Sequence, residues 1–173
     1  FMDDRTNAVI APSGAFGVNL AVARNNPLLS AQQRDALFAN EDATAQTTDV
    51  LVFRRNVEGG PRDSDLRHSS YRILGGVKGN LIGEWDYDTS YQFGKTVRDN
   101  IYRGEFSRVR TIRALDVVAD PNGGAPVCSS VLNGSDLNCV PYNIFQEGQV
   151  TAAALNYLQV PSYTGGNASE RVV

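Results

Sequence analysis

Between Arg67 and Thr96 the chain alternates. Trp85, Tyr87, Thr89, Tyr91 and Phe93 occupy every second position, with Asp86, Asp88, Ser90 and Gln92 between them. Successive side chains on a strand point to opposite faces, so this period of two predicts one aromatic face and one acidic or polar face. Upstream, Tyr71, Ile73, Val77 and Leu81 share one parity and Arg72, Lys78 and Asn80 the other, with Leu74 out of phase. Gly79-Asn80-Leu81-Ile82-Gly83 separates the two runs and carries turn residues at both ends. The pair therefore predicts an antiparallel hairpin. Its aromatic face has two candidate surroundings. In a soluble sheet it packs on a core. In an outer-membrane barrel it meets lipid while the polar face lines the lumen. Alternation alone favours the soluble sheet, because the barrel signal is weak in any one segment. Length and composition favour the membrane. Both runs cover about ten residues or more, near what a tilted strand needs to cross a bilayer, and Tyr and Trp suit its interface.

The rest of the chain adds elements on either side. Residues 1–29 are rich in Asn, Ala, Gly and Pro with little periodicity, and read as a long loop. Ser30 and Gln33 match a capping box, which predicts a helix to about Ala39 with Leu37 and Phe38 as its buried contacts. Within residues 46–58, the run Val50 to Phe53 predicts a strand. Arg54, Arg55, Glu58 and Arg62 gather where that strand ends, and Gly59 to Asp65 is a loop by composition. The expected order is strand, polar loop, strand, tight turn, strand: an up-and-down meander. Val97 to Phe106 extends the third strand. Ile112 and Leu115, with Val109 and Asp116, sit at helical spacing and predict a short helix near 107–118. Asp120 to Gly124 is a turn. Thr151 caps a third helix through about Leu158, and Pro161 ends it. Gly165-Gly166-Asn167 is a further loop.

Composition narrows the function. The chain has 173 residues, enough for one ordinary domain, and a net charge of -3, which does not mark a nucleic-acid binder. No apolar run approaches the length of a transmembrane helix, which leaves a barrel open. The ends, Phe1-Met2-Asp3-Asp4 and Glu170-Arg171-Val172-Val173, carry no targeting or terminating feature, and the chain is expected to be a piece of a longer protein. Cys128 and Cys139, the only cysteines, enclose a short polar loop. His68 is too far along the chain to complete a zinc site with them, and no base stands near for a thiol nucleophile. A disulfide formed outside the cytosol is the reading that remains. No catalytic constellation, metal-ligand spacing or cofactor cradle is present, so neither an enzyme nor a cofactor is expected. Arg103, Arg108, Arg110 and Arg113 concentrate positive charge. That charge reads as a solvated face, or as an anion-contacting loop, because arginine fits carboxylate and phosphate geometry.

Taken together, several stretches resemble a TonB-dependent outer-membrane receptor of the large proteobacterial, Oar-like group. They are Arg54-Arg55-Asn56-Val57-Glu58-Gly59-Gly60, Tyr71-Arg72 with Gly75-Gly76-Val77-Lys78-Gly79, and Trp85-Asp86-Tyr87-Asp88 through Tyr91-Gln92-Phe93-Gly94. Arg113 to Val118 follows, then Val127-Cys128 through Cys139-Val140-Pro141-Tyr142-Asn143-Ile144-Phe145, Gly148, Thr151 and Ala154 to Leu158. The resemblance covers about residues 25–160. It implies a mainly β fold, a segment of a transmembrane β-barrel with long extracellular loops carrying short helices. Residues 1–45 would form an extracellular loop with a short helix, and 46–96 three barrel strands. Residues 97–165 would form a long extracellular loop with the disulfide, and 166–173 the start of the next strand. The short Gly79–Gly83 turn would be periplasmic, because such barrels keep short turns on that side. The implied partners are outer-membrane lipid, an imported small ligand such as a siderophore, saccharide or peptide, and the TonB system. The family's plug domain, TonB box and aromatic-ended last strand have no counterpart in these residues, so contact with TonB would run through the parent receptor's plug. Loops on a rigid barrel carry recognition residues, and Arg and Tyr dominate recognition surfaces. Arg103, Arg108, Arg110 and Tyr142 are thus the expected ligand contacts. Alternatively the arginines pair with Glu105, Asp99 and Asp116 to hold the loop. The rival class is a secreted soluble β-rich adhesion or binding module with one disulfide.

Overall fold

The computed structural model describes residues 1–172. In chain order the elements are β1 (Met2–Ile10), β2 (Gly14–Ala23), α1 (Ala31–Leu37), β3 (Thr47–Arg55), a single 3-10 turn (Val57–Gly59), β4 (Arg62–Asn80) and β5 (Asp86–Arg103). There follow α2 (Arg108–Leu115), β6 (Val117–Val118), β7 (Val127–Cys128), α3 (Ser129–Leu132), α4 (Ala152–Leu158) and β8 (Ser162–Val172). The fold is mainly β with antiparallel pairing. The chain divides into two compact units. One holds β1, β4, β5 and β8; the other is built from Ile10–Arg62 and Arg103–Pro161.

The first unit is a four-stranded sheet in the order β1-β4-β5-β8. The expected hairpin forms its centre, with strands of 19 and 18 residues. At about 3.3 Å per residue each strand runs for about 60 Å. Gly83 takes φ +78° in the connection, a conformation that L side chains rarely adopt. The two expected faces form. The Tyr71 and Phe93 rings lie 5.9 Å apart, and the Tyr87 ring stands 3.0 Å from where a Cβ on Gly79 would be. Arg72 donates to Gln92, and Asn80 to Asp86 at 2.5 Å, in the opposite parity. Trp85 departs from the expected strand: it lies in the 81–85 connection, because Leu81 N–H closes on the Trp85 carbonyl at 2.7 Å. β8 pairs with β5 from Gln92↔Val172 to Tyr102↔Ser162. The strand expected at 166–173 therefore starts four residues earlier, and Val173 lies outside the described residues. Ser64 and Asp65 are the only buried residues of this unit among those described. Asp65 is held by a two-pronged bond from Arg5 at 2.8 and 2.9 Å. Ile73, Val77 and Leu81 are more than 60% exposed.

The second unit holds the hydrophobic core. Residues 1–29, expected as loop, instead supply β1 and β2. β2 pairs with β3 in a separate two-stranded sheet, so β3 is not the meander neighbour of β4. The pairing is possible because β2 presents Ala15, Val18, Leu20 and Val22 inward. A bulge between Phe16 and Val18, with Gly17 at φ +61°, shifts the parity from odd to even. β2 meets the helices through Leu20, Val22, Leu115, Tyr157 and Leu158, which bury together with Tyr142 and both cysteines. Ser30 caps α1 in the expected box: its Oγ accepts from Gln33 N–H at 3.2 Å while Gln33 Oε1 accepts from Ser30 N–H at 2.9 Å. Ser107 and Thr151 cap α2 and α4. α2 turns Thr111, Ala114 and Leu115 inward and leaves Val109 exposed. Cys128 and Cys139 are joined, with Cα atoms 6.1 Å apart. No helix among the described residues is long and apolar enough to cross a membrane, which says nothing of a β-barrel.

Candidate functional site

The four residues expected to meet a ligand do not converge. Arg103 ends β5 and is exposed. Arg108 opens α2, also exposed. Arg110, two residues on, is committed elsewhere: its Nη1 donates to the Tyr157 carbonyl at 2.8 Å, and its guanidinium lies 5.3 Å over the Tyr157 ring. It thereby satisfies a carbonyl in the last turn of α4, where helix C-termini favour cations. Tyr142 is completely buried. Its N–H donates to the Ala114 carbonyl at 2.8 Å, and its ring packs edge-on against Phe106 at 6.0 Å. Its hydroxyl accepts from Arg54 at 3.2 Å. Burial pushes the phenol above its ordinary value even though Arg54 pulls the other way. In this packing Tyr142 has no atom to offer a ligand, so the sequence expectation gives way to a core role. Of the pairings expected for the arginine-rich stretch, Glu105 is an ion-pair partner, but of Arg62.

A second polar group ties three segments of the same unit. Asp136, in the disulfide loop, accepts from the Tyr157 hydroxyl at 2.8 Å and from Arg113 at 3.0 Å. The Tyr157 bond, then Arg113, hold the Asp136 carboxyl below its usual range against the effect of burial. Burial and the same carboxylate push Tyr157 up to about 12. The signs give a pH window. The folded value of Asp136 lies below its unfolded one, so its stabilisation is complete above the ordinary carboxylate range, at about pH 4, and is lost as pH falls through the folded value. Tyr157 is the mirror case: its contribution is complete below pH 10 and lost as pH rises through about 12. Asp136→Asn is therefore expected to lower the denaturation midpoint at pH 7 and to flatten its fall at both extremes. Equal acid and alkaline slopes in variant and parent would refute the clamp.

The chemistry that faces solvent lies in a cleft of about 300 Å³ lined by Pro12, Ser13, Gly14, Phe16, Val18, Arg55, Arg62, Glu105, Phe106, Arg108 and Thr111. Three chain segments position it. Arg55 ends β3, and its Nη1 donates to the Pro12 carbonyl at 3.0 Å while its guanidinium lies 5.1 Å over Phe16. Arg62 donates to the Ala11 carbonyl at 2.8 Å and pairs with Glu105 at 2.6 Å. Ser13 Oγ donates to the other Glu105 oxygen at 2.7 Å and accepts from Phe106 N–H at 3.2 Å. Burial opposes the charge on Glu105, but the bonds from Arg62 and Ser13 outweigh it and hold the carboxyl below its ordinary value. Beside the cleft, Arg54 bridges Asn56, Tyr142 and Glu58, which fixes the end of β3.

Only Arg108 of the expected residues lines this cleft. Arg55 and Arg62 were visible in sequence as a charged cluster at a strand end, without a partner to give them a role. Ser13 and Phe16 carried no signal, because their stretch read as loop. No group of His, Cys, Asp and Glu among the described residues could hold a metal ion. Set against family models, curated proteins and solved structures, the chain matches none.

Proposed function

We propose that this chain is part of an outer-membrane TonB-dependent transporter that binds and imports a scarce ligand such as a siderophore, saccharide or peptide. The β4–β5 hairpin carries the reading. A barrel strand needs about 9–11 residues to cross the bilayer, and these strands have 19 and 18. The half near the 81–85 connection bears Tyr71, Ile73, Val77, Tyr87 and Tyr91 on one parity, all at least 39% exposed. The other half bears Asp63, Asp65, Arg67 and Ser69 at the same parity. Such a strand is apolar for one membrane thickness and polar beyond it, with aromatic rings at both limits of the band, which is the pattern of a barrel wall. The short connection is then the periplasmic turn. In chain order the second unit is inserted at the opposite strand ends, where long outer loops belong. The TonB system would act through a plug domain of the parent receptor.

Trp85 tests this, since it is the only tryptophan and is 76% exposed. Its emission is expected to shift to the blue when the chain passes from buffer into phospholipid vesicles, and to be quenched by lipids brominated near the headgroup. A chain that is monodisperse in buffer, with Trp85 emission indifferent to vesicles, would overturn the proposal. That result would favour the second reading, a secreted soluble binding module, whose support is the disulfide-bonded core of the second unit.

A further inference from the structure

The cleft in the second unit is electrically unbalanced. Arg55, Arg62 and Arg108 face a single carboxylate, Glu105. That carboxylate already holds Arg62 on one oxygen and Ser13 on the other. Arg55 has a carbonyl and a ring for partners but no carboxylate, and the side chain of Arg108 has neither hydrogen bond nor ion pair among the described residues. Two guanidinium groups are thus left on one small concave surface. Each keeps planar N–H donors that match a carboxylate in a two-pronged bond. Part of the wall is apolar: Phe16 is stacked under Arg55, and Val18 and Phe106 line the cleft with it, alongside Ser13 and Thr111. The stacking and the Pro12 bond hold the Arg55 plane in place before anything binds, which lowers the ordering cost of recognition. At about 300 Å³ the volume sits at the small end of ligand sites.

We propose that this cleft binds a small organic anion, a carboxylate carried on an aromatic or apolar group. Arg108 and Arg55 take the carboxylate, and Phe16 and Phe106 take the apolar part. A bare inorganic anion would use the arginines and leave the aromatic wall wet, which is why the mixed ligand fits better. The inference concerns the second unit alone and does not rest on the membrane reading of the sheet. A chain indifferent to lipid can carry the same cleft, and a barrel segment can lack an occupant for it.

The test is calorimetric titration of the full chain with hippurate, with its uncharged amide and with inorganic phosphate, at low salt. Hippurate is expected to bind one to one, and the amide and phosphate each about tenfold more weakly or worse. Arg108→Gln is expected to weaken hippurate by about tenfold, and Arg108→Lys by less, because lysine keeps the charge but not the planar fork. Arg108 is exposed and makes no side-chain bond that folding needs, and unchanged circular dichroism and melting of the variant confirm that the loss is one of binding. Equal binding of hippurate and its amide, an Arg108→Gln variant that binds like the parent, or no heat up to about 10 mM hippurate would each overturn the proposal. Phosphate binding as tightly as hippurate would overturn the part assigned to the aromatic wall.

Discussion

Tyr142→Ala is expected to destabilise the disulfide-bonded unit by about 3–5 kcal/mol, the range for truncating a large buried aromatic. Tyr142 has no exposed surface. Its ring fills the space between Phe106 and the β2–helix core, and its backbone N–H fastens the 140–145 segment to the end of α2 through Ala114. Removing the ring leaves a cavity that close-packed neighbours close only in part. Tyr142→Phe separates the packing from the hydroxyl. Arg54 keeps Asn56 and Glu58 as partners, so the loss of one bond is expected to cost only about 1 kcal/mol. Urea denaturation of both variants reads the two effects. A Tyr142→Ala variant as stable as the parent would return the residue to the surface role that the sequence pointed to.

What could be read from the sequence was what is set locally. The capping box at Ser30, the cap at Thr151 and the helical spacing of Ile112 and Leu115 are all short-range signals, so α1, α4 and α2 were legible to within a turn. The central hairpin was legible because period-two alternation and a glycine turn are both short-range signals. β2 was not, because its inward residues change parity at Gly17 and the alternation that marks a strand disappears. The partner of β3 was not legible either: Val50 to Phe53 looks the same whether it faces β2 or β4. The cleft failed for a related reason. Arg55, Arg62, Glu105 and Ser13 are brought together from segments as much as 92 residues apart. Tyr142 shows the opposite error, since an aromatic in an irregular stretch reads as a recognition residue until the core that encloses it is assembled.

Opening the Cys128–Cys139 bond is the second change expected to act strongly. The bond joins residues 11 apart in sequence. In the chain-entropy account, closing so short a loop stabilises by about 2–4 kcal/mol. Its site raises the stakes, because both sulfurs lie in the core, Cys128 with no exposure at all. The loop they close carries Asp136, which binds Tyr157 of α4 and Arg113 of α2. Cys128 is also the N-cap residue of α3, and Ser129 N–H bonds the Asp116 carbonyl at 2.9 Å. The disulfide and the Asp136 clamp therefore hold one loop by two means, and residues that share such a loop do not act independently. Cys128→Ala with Cys139→Ala is expected to lower the unfolding free energy, read by urea denaturation, by the amount above and to speed hydrogen exchange in α2, α3 and α4 more than in β4 and β5. Adding Asp136→Asn to that pair is expected to cost less than it does with the bond intact, since the freed loop already presents its carboxylate less firmly. Intact mass with and without reduction first establishes the bond in the native chain. Strictly additive losses in the triple variant, or exchange that accelerates equally in all elements, would show that the loop and its clamp are not coupled.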